Sequence, residues 1–97
     1  MPLEKQVESF LRQLAIERGL AKNTIAAYRR DLGVYREFLE QHQTESFAEV
    51  TEQTVANYAQ SLVQVRGLAS SSVARMLAAV RGLHQYLQRS EEHTSEL

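Results

Sequence analysis

Apolar residues recur along this chain at helical spacing, and no regular strand alternation competes with them. Leu3, Val7, Phe10, Leu11 and Leu14 fall on one helical face. That pattern runs to about Arg18, where Gly19 offers the left-handed residue that ends a helix. Ile25, Tyr28, Leu32, Tyr35 and Leu39 step by three and four through a second helix that fades near His42, with Asn23 or Thr24 as its expected N-cap. Residues 43–50 read as a connector with one short turn, where Ser46 and Glu49 stand at capping-box spacing. Thr51 is the expected cap of a third helix built on Val55, Tyr58, Ala59 and Leu62 and ending at Gly67. A fourth begins in Ser70-Ser71-Ser72 and carries Val73, Met76, Leu77, Val80, Leu83 and Leu87. The fold class predicted is all-α, with four helices.

An offset of 48 residues superimposes one half of the pattern on the other. Arg18-Gly19-Leu20-Ala21 falls on Arg66-Gly67-Leu68-Ala69, and Lys22-Asn23-Thr24 on Ser70-Ser71-Ser72. Val7, Phe10 and Leu14 fall on Val55, Tyr58 and Leu62. Ile25, Tyr28, Leu32, Tyr35 and Leu39 fall on Val73, Met76, Val80, Leu83 and Leu87. The chain reads as two helical hairpins of one design. Each hairpin sets a helix N-terminus among small hydroxyl or amide residues. Two such ends, with free N–H groups and partial positive charge, form a paired anion-binding surface.

Ninety-seven residues allow one domain. No Cys is present, which excludes a disulfide scaffold, thiol catalysis and a cysteine zinc finger. Apolar runs stop far short of the ~20 residues of a membrane span, and Met1-Pro2-Leu3-Glu4-Lys5-Gln6 is no signal peptide. A cytoplasmic setting follows as the expectation, with no membrane partner. The formal net charge of −1 hides an uneven distribution. From Glu52 to Glu91 there is no acid, while Arg66, Arg75, Arg81 and Arg89 fall in that interval. Such a stretch suits a polyanion, or an ordinary solvated arginine face.

Residues 89–97, Arg-Ser-Glu-Glu-His-Thr-Ser-Glu-Leu, carry no helical period and are similar to a translated sequencing adapter. They are expected to be a non-native or disordered tail in which His93 has no role. Removing Arg89, Glu91, Glu92 and Glu96 turns the formal charge to +1. On this reading residues 1–88 are the domain, and the natural chain continues past them.

The polar face of the second helix carries Lys22, Ala26, Arg29, Arg30, Gly33 and Arg36. The matching face of the fourth carries Ser71, Arg75, Ala78, Gly82 and Gln85, with Arg81 on its flank. Small residues between arginines let a helix approach a duplex closely, where Arg reads guanine and Ser or Thr holds phosphate. Tyr28, Tyr35 and Tyr58 lie in apolar stripes and Tyr86 beside one, so packing explains them better than nucleophilic chemistry. His42 and His84 stand alone, without metal-ligand spacing. Asp31 follows Arg29-Arg30 and is expected to pair locally or cap the neighbouring hairpin. No Gly-rich phosphate loop and no Ser-His-Asp set is present, and no cofactor is expected.

Residues 19–32, Gly-Leu-Ala-Lys-Asn-Thr-Ile-Ala-Ala-Tyr-Arg-Arg-Asp-Leu, closely resemble the opening of the XerD/XerC tyrosine recombinases. Residues 70–87, from Ser70-Ser71-Ser72 through Leu77-Ala78-Ala79-Val80-Arg81 to Tyr86-Leu87, resemble them too, and the detail is nearer XerD than XerC. The resemblance spans about residues 3–88. It implies a SAM-like, four-helix core-binding domain that holds double-stranded DNA. It also implies a separate catalytic domain, absent here, that supplies the nucleophilic tyrosine. None of the four tyrosines in this chain carries that motif, so no catalytic residue is expected. In the family, two domains clamp the duplex and four protomers assemble on two sites, in site-specific recombination, integration and chromosome dimer resolution. Position by position, Lys22, Asn23, Thr24 and Arg30 match one DNA-facing helix, and Ser71, Ser72 and Arg75 the other. Gly82 and His84 depart from the commoner Arg and Phe. Two other readings remain: a phage or transposon integrase arm of the same fold, or a helical protein-interaction module with an acidic partner.

Overall fold

The computed structural model describes residues 3–89. Within them lie α1 (Leu3–Glu17), α2 (Lys22–Gln41), α3 (Glu52–Gln64) and α4 (Ser70–Arg89), with one 3-10 turn at Phe47–Glu49. The described chain is all-helical, as the apolar spacing predicts.

The two halves repeat in backbone as well as in side chains. Both α2 and α4 are 20 residues long, and Lys22 and Ser70 open them at equivalent positions. The Ile25 N–H donates to the Ala21 carbonyl at 3.0 Å, and its counterpart Val73 donates to Ala69 at the same distance. Gly19 and Gly67 sit at φ +60° and +65°, a conformation that only glycine adopts without strain. These turns reverse the chain and launch the long helices.

Several boundaries differ from expectation. Neither Asn23 nor Thr24 caps α2; Ala21 is the N-cap, extended at φ −65° and ψ 156°, and contributes no side-chain hydrogen bond. The Gly19 turn starts the helix early enough to place Asn23 and Thr24 inside its first turn, where both are exposed. Thr51 does cap α3. Its hydroxyl accepts from the Thr54 N–H while the Thr54 hydroxyl accepts from the Thr51 N–H, a reciprocal box. α3 stops at Gln64, three residues before Gly67. At the connector only the Ser46 half of the expected box forms, its hydroxyl accepting from the Ala48 N–H. α4 continues through Arg89, one residue past the expected boundary. The rest of the expected tail, residues 90–97, lies outside the described residues.

α4 packs against each of the other three helices. Leu11, Leu32, Leu39, Leu62, Val80, Leu83 and Leu87 are shut from solvent at the centre. Around them stands an aromatic group from four elements. The Tyr35 and Tyr58 rings lie 5.0 Å apart, Phe38 and Tyr58 5.2 Å, and Tyr35 and Phe47 6.1 Å. Such pairs add about 0.5–1.5 kcal/mol each beyond the area they bury.

His84 stands inside this group rather than at the surface. It is 1% exposed, and its Nε2 lies 2.8 Å from the Tyr35 hydroxyl. An imidazole thus fills the slot where the resemblance leads one to expect Phe. A buried polar ring needs a partner, and Tyr35 supplies one. Gly82 is also inward. A Cβ there would stand 3.4 Å from the Phe10 ring, so this residue faces α1 and leaves the predicted outward stripe.

Candidate nucleic-acid interface

The first turns of α2 and α4 are polar and exposed. Lys22, Asn23, Thr24 and Ser71 are open to solvent, and Ser72 is half-buried. With no side-chain cap on α2, its first N–H groups stay available to an outside acceptor.

The arginines divide into tied and untied. Arg29 forks onto Glu8 of α1 through Nε at 3.0 Å and Nη2 at 2.9 Å. That bond, with the guanidinium charge, holds the Glu8 carboxyl below its ordinary value. Arg36 reaches Glu40 one turn on at 3.2 Å, and Arg66 approaches Glu37 at 3.9 Å. Lys22 and Arg30 are exposed and have no acidic partner among the described residues. Of the four cations predicted on the α2 face, these two keep their charge uncommitted.

Arg75 is exposed as predicted, with 58% of its side chain open, but it is not alone. Its Nε donates to Asp31 Oδ2 at 3.0 Å and its Nη2 to Oδ1 at 3.3 Å. Asp31 therefore neither pairs with its sequence neighbours nor caps a hairpin. It lies on the inner side of α2, 6% exposed, and crosses to α4 for its cation. The spacing hides this partnership because 44 residues separate the two. The clue was that Asp31 stands one residue before core Leu32, while Arg29 and Arg30 point to solvent.

Around this pair lies a cleft between α2 and α4 of about 280 Å³, lined by Thr24, Ala27, Tyr28, Asp31, Arg75, Ala78 and Ala79. Two of the seven predicted DNA-binding residues, Thr24 and Arg75, meet there. Lys22, Asn23, Arg30, Ser71 and Ser72 are not among the residues that line it.

Three of the four tyrosines are held by burial or an internal contact. Burial, with the Asp31 charge second and Arg66 opposing, pushes the Tyr58 hydroxyl up to about 12. Burial, and then Tyr58, raises Tyr35 further above the ordinary tyrosine value. Tyr86 is spent on the Ser9 hydroxyl at 2.6 Å. Among the described residues no cluster of His, Asp or Glu has the arrangement of a metal site, and no helix is long and apolar enough to cross a membrane.

Compared with known families, residues 7–91 match the phage integrase N-terminal SAM-like domain. The chain belongs to that family. As a phage integrase N-terminal SAM-like domain, it is 33% identical over 89 residues to the tyrosine recombinase XerD of Staphylococcus haemolyticus (strain JCSC1435). It is 37% identical over 93 residues to the tyrosine recombinase XerC of Herpetosiphon aurantiacus. These alignments cover 92% and 96% of the chain but only 30% of either recombinase. The chain therefore spans less than a third of the length of these two recombinases. Both names occur among the relatives, so the leaning toward XerD gains no support from them. No solved structure matches the chain.

Proposed function

We propose that this domain binds duplex DNA through the N-terminal halves of α2 and α4, as the non-catalytic part of a site-specific tyrosine recombinase. The observation that carries the reading is the cleft between α2 and α4, where Thr24 and exposed Arg75 meet among small Ala27, Ala78 and Ala79, with Lys22 and Arg30 exposed on α2. Lys22, Arg30, Asn23, Thr24, Ser71 and Ser72 would take phosphates, through charge, hydroxyls and free N–H groups. Arg75 would reach a base edge. In the whole recombinase a catalytic domain holds the opposite side of the duplex, and protomers pair across two sites, in recombination of the chromosome-dimer-resolving kind. The setting is cytoplasmic.

Fluorescence anisotropy of the chain on a labelled duplex tests this. The logarithm of the association constant should fall linearly with the logarithm of salt concentration, as counterion release requires. Lys22→Ala and Arg30→Ala should each reduce the slope by roughly one unit. Slopes unchanged in both variants would overturn the assignment of this face. They would favour the protein-interaction reading.

A further inference from the structure

The Asp31–Arg75 pair is where the two hairpins are not alike. Under the repeat, Ala27 corresponds to Arg75 and Asp31 to Ala79. All four residues line the same cleft. One diagonal of the crossing is therefore alanine with alanine. The other is a carboxylate with a guanidinium. A generic solvated arginine face would not need its anion buried on the opposite hairpin.

The geometry of the pair is directional. Asp31 takes the edge of the guanidinium that carries Nε and one hydrogen of Nη2. The second edge, Nη1 with the outer hydrogen of Nη2, makes no hydrogen bond within the described residues and belongs to a side chain more than half exposed. A free arginine side chain has rotamer entropy to lose before it docks. Here much of that ordering has already occurred. The outer edge presents two parallel donors, the pattern that matches guanine O6 and N7.

Asp31 also disfavours the alternative acceptor. A carboxylate directly behind the guanidinium cancels much of its charge, and it repels a phosphate at the same spot. A neutral pair of acceptors suffers no such repulsion. The two flanking alanines keep the cleft open, so a base edge can approach without meeting bulk.

We infer that Asp31 is a positioning residue for sequence readout: it clamps the inner edge of Arg75 and aims the outer edge at a guanine. This rests on the DNA-binding reading above. It goes further by giving a buried acid of α2 a part in specificity.

The test uses the full chain. A pool of duplexes of randomised sequence is enriched on the wild-type protein, and one selected duplex is compared with copies in which single guanines become 7-deazaguanine. Wild type should lose roughly ten-fold in affinity at one position, in keeping with the discrimination of a bidentate pair. Arg75→Ala and Arg75→Lys should both lose that preference, since lysine cannot present a fork. Asp31→Asn, of nearly equal volume, should weaken the preference several-fold. Its affinity for unselected duplex should hold or rise, with a steeper salt slope, because one negative charge is gone. A purely structural Asp31 would instead lower binding to every duplex in parallel with the melting temperature. If Arg75→Ala erases the preference and Asp31→Asn leaves it whole, the clamp is wrong and the DNA face stands. If Arg75→Lys retains the preference, the fork argument fails even should Asp31→Asn not fold. If Arg75→Ala changes neither affinity nor preference, the DNA-facing assignment of α4 falls together with the clamp.

Discussion

In the core Tyr35 combines packing with one polar contact. The Tyr35 hydroxyl meets His84 Nε2 in a space closed to water. Tyr35→Phe keeps the ring and removes the contact, so it should cost about 1 kcal/mol, the net worth of a typical buried hydrogen bond. Urea unfolding checks this through a lower midpoint at constant slope. The same hydroxyls set a limit at high pH. Folding raises the Tyr58 hydroxyl from its ordinary 10.0 to about 12, and Tyr35 moves the same way. Above pH ~10 the unfolded chain gives up protons that the folded chain keeps, so the unfolded state gains. Stability should be level from neutral pH up to that point and decline as pH rises from there through 12. Thermal melts across this range, with tyrosinate absorbance followed in parallel, would show it. A decline starting well below pH 9 would point to another group.

Elements are where the sequence was most legible. The stripes from Leu3 to Leu14 and from Ile25 to Leu39 located α1 and α2 because burial imposes helical periodicity directly on the chain. Gly19 and Gly67 were legible for a similar reason: a left-handed turn selects glycine whatever surrounds it. What could not be read was contact across elements. Gly82 was read on the outward face and His84 as an isolated ring, yet the first faces Phe10 and the second is core, because a position beside a stripe can turn inward where a third helix arrives. Asp31 looked local because its partner lies on the other hairpin. The candidate site was read in part: Lys22, Arg30 and Arg75 are exposed as expected, but the tether on Arg75 was not foreseen. The two kinds of glycine make a comparison. Gly82→Ala should stabilise by about 0.5–1 kcal/mol, since helix propensity improves and the new methyl only touches the Phe10 ring. Gly67→Ala should destabilise by about 1–2 kcal/mol, since alanine at φ +65° is strained. Paired melting curves would check the opposite signs. Thr51→Ala should cost about 1 kcal/mol by opening the cap of α3.

At the scale of the whole molecule, the two hairpins offer each other almost the same apolar surface. Chains built this way invite a particular error, in which a hairpin of one molecule docks on the complementary hairpin of a second. The connector stands against it. Phe47 and Val50 are 0% and 1% exposed, so the segment joining the hairpins is itself folded into the core. To reach across to another molecule it would have to straighten, withdraw Phe47 from beside Tyr35 and His84, and leave a hole where the ring had been. Emptying such a site costs about 3–5 kcal/mol, and an exchanged dimer must recover that loss twice. Phe47→Ala takes the penalty out of the exchange by imposing it on the monomer as well. Light scattering of that variant after concentrated refolding should reveal dimers that the parent chain does not form. The short connector thus acts as a topological guard, keeping each pair of hairpins with its own partner.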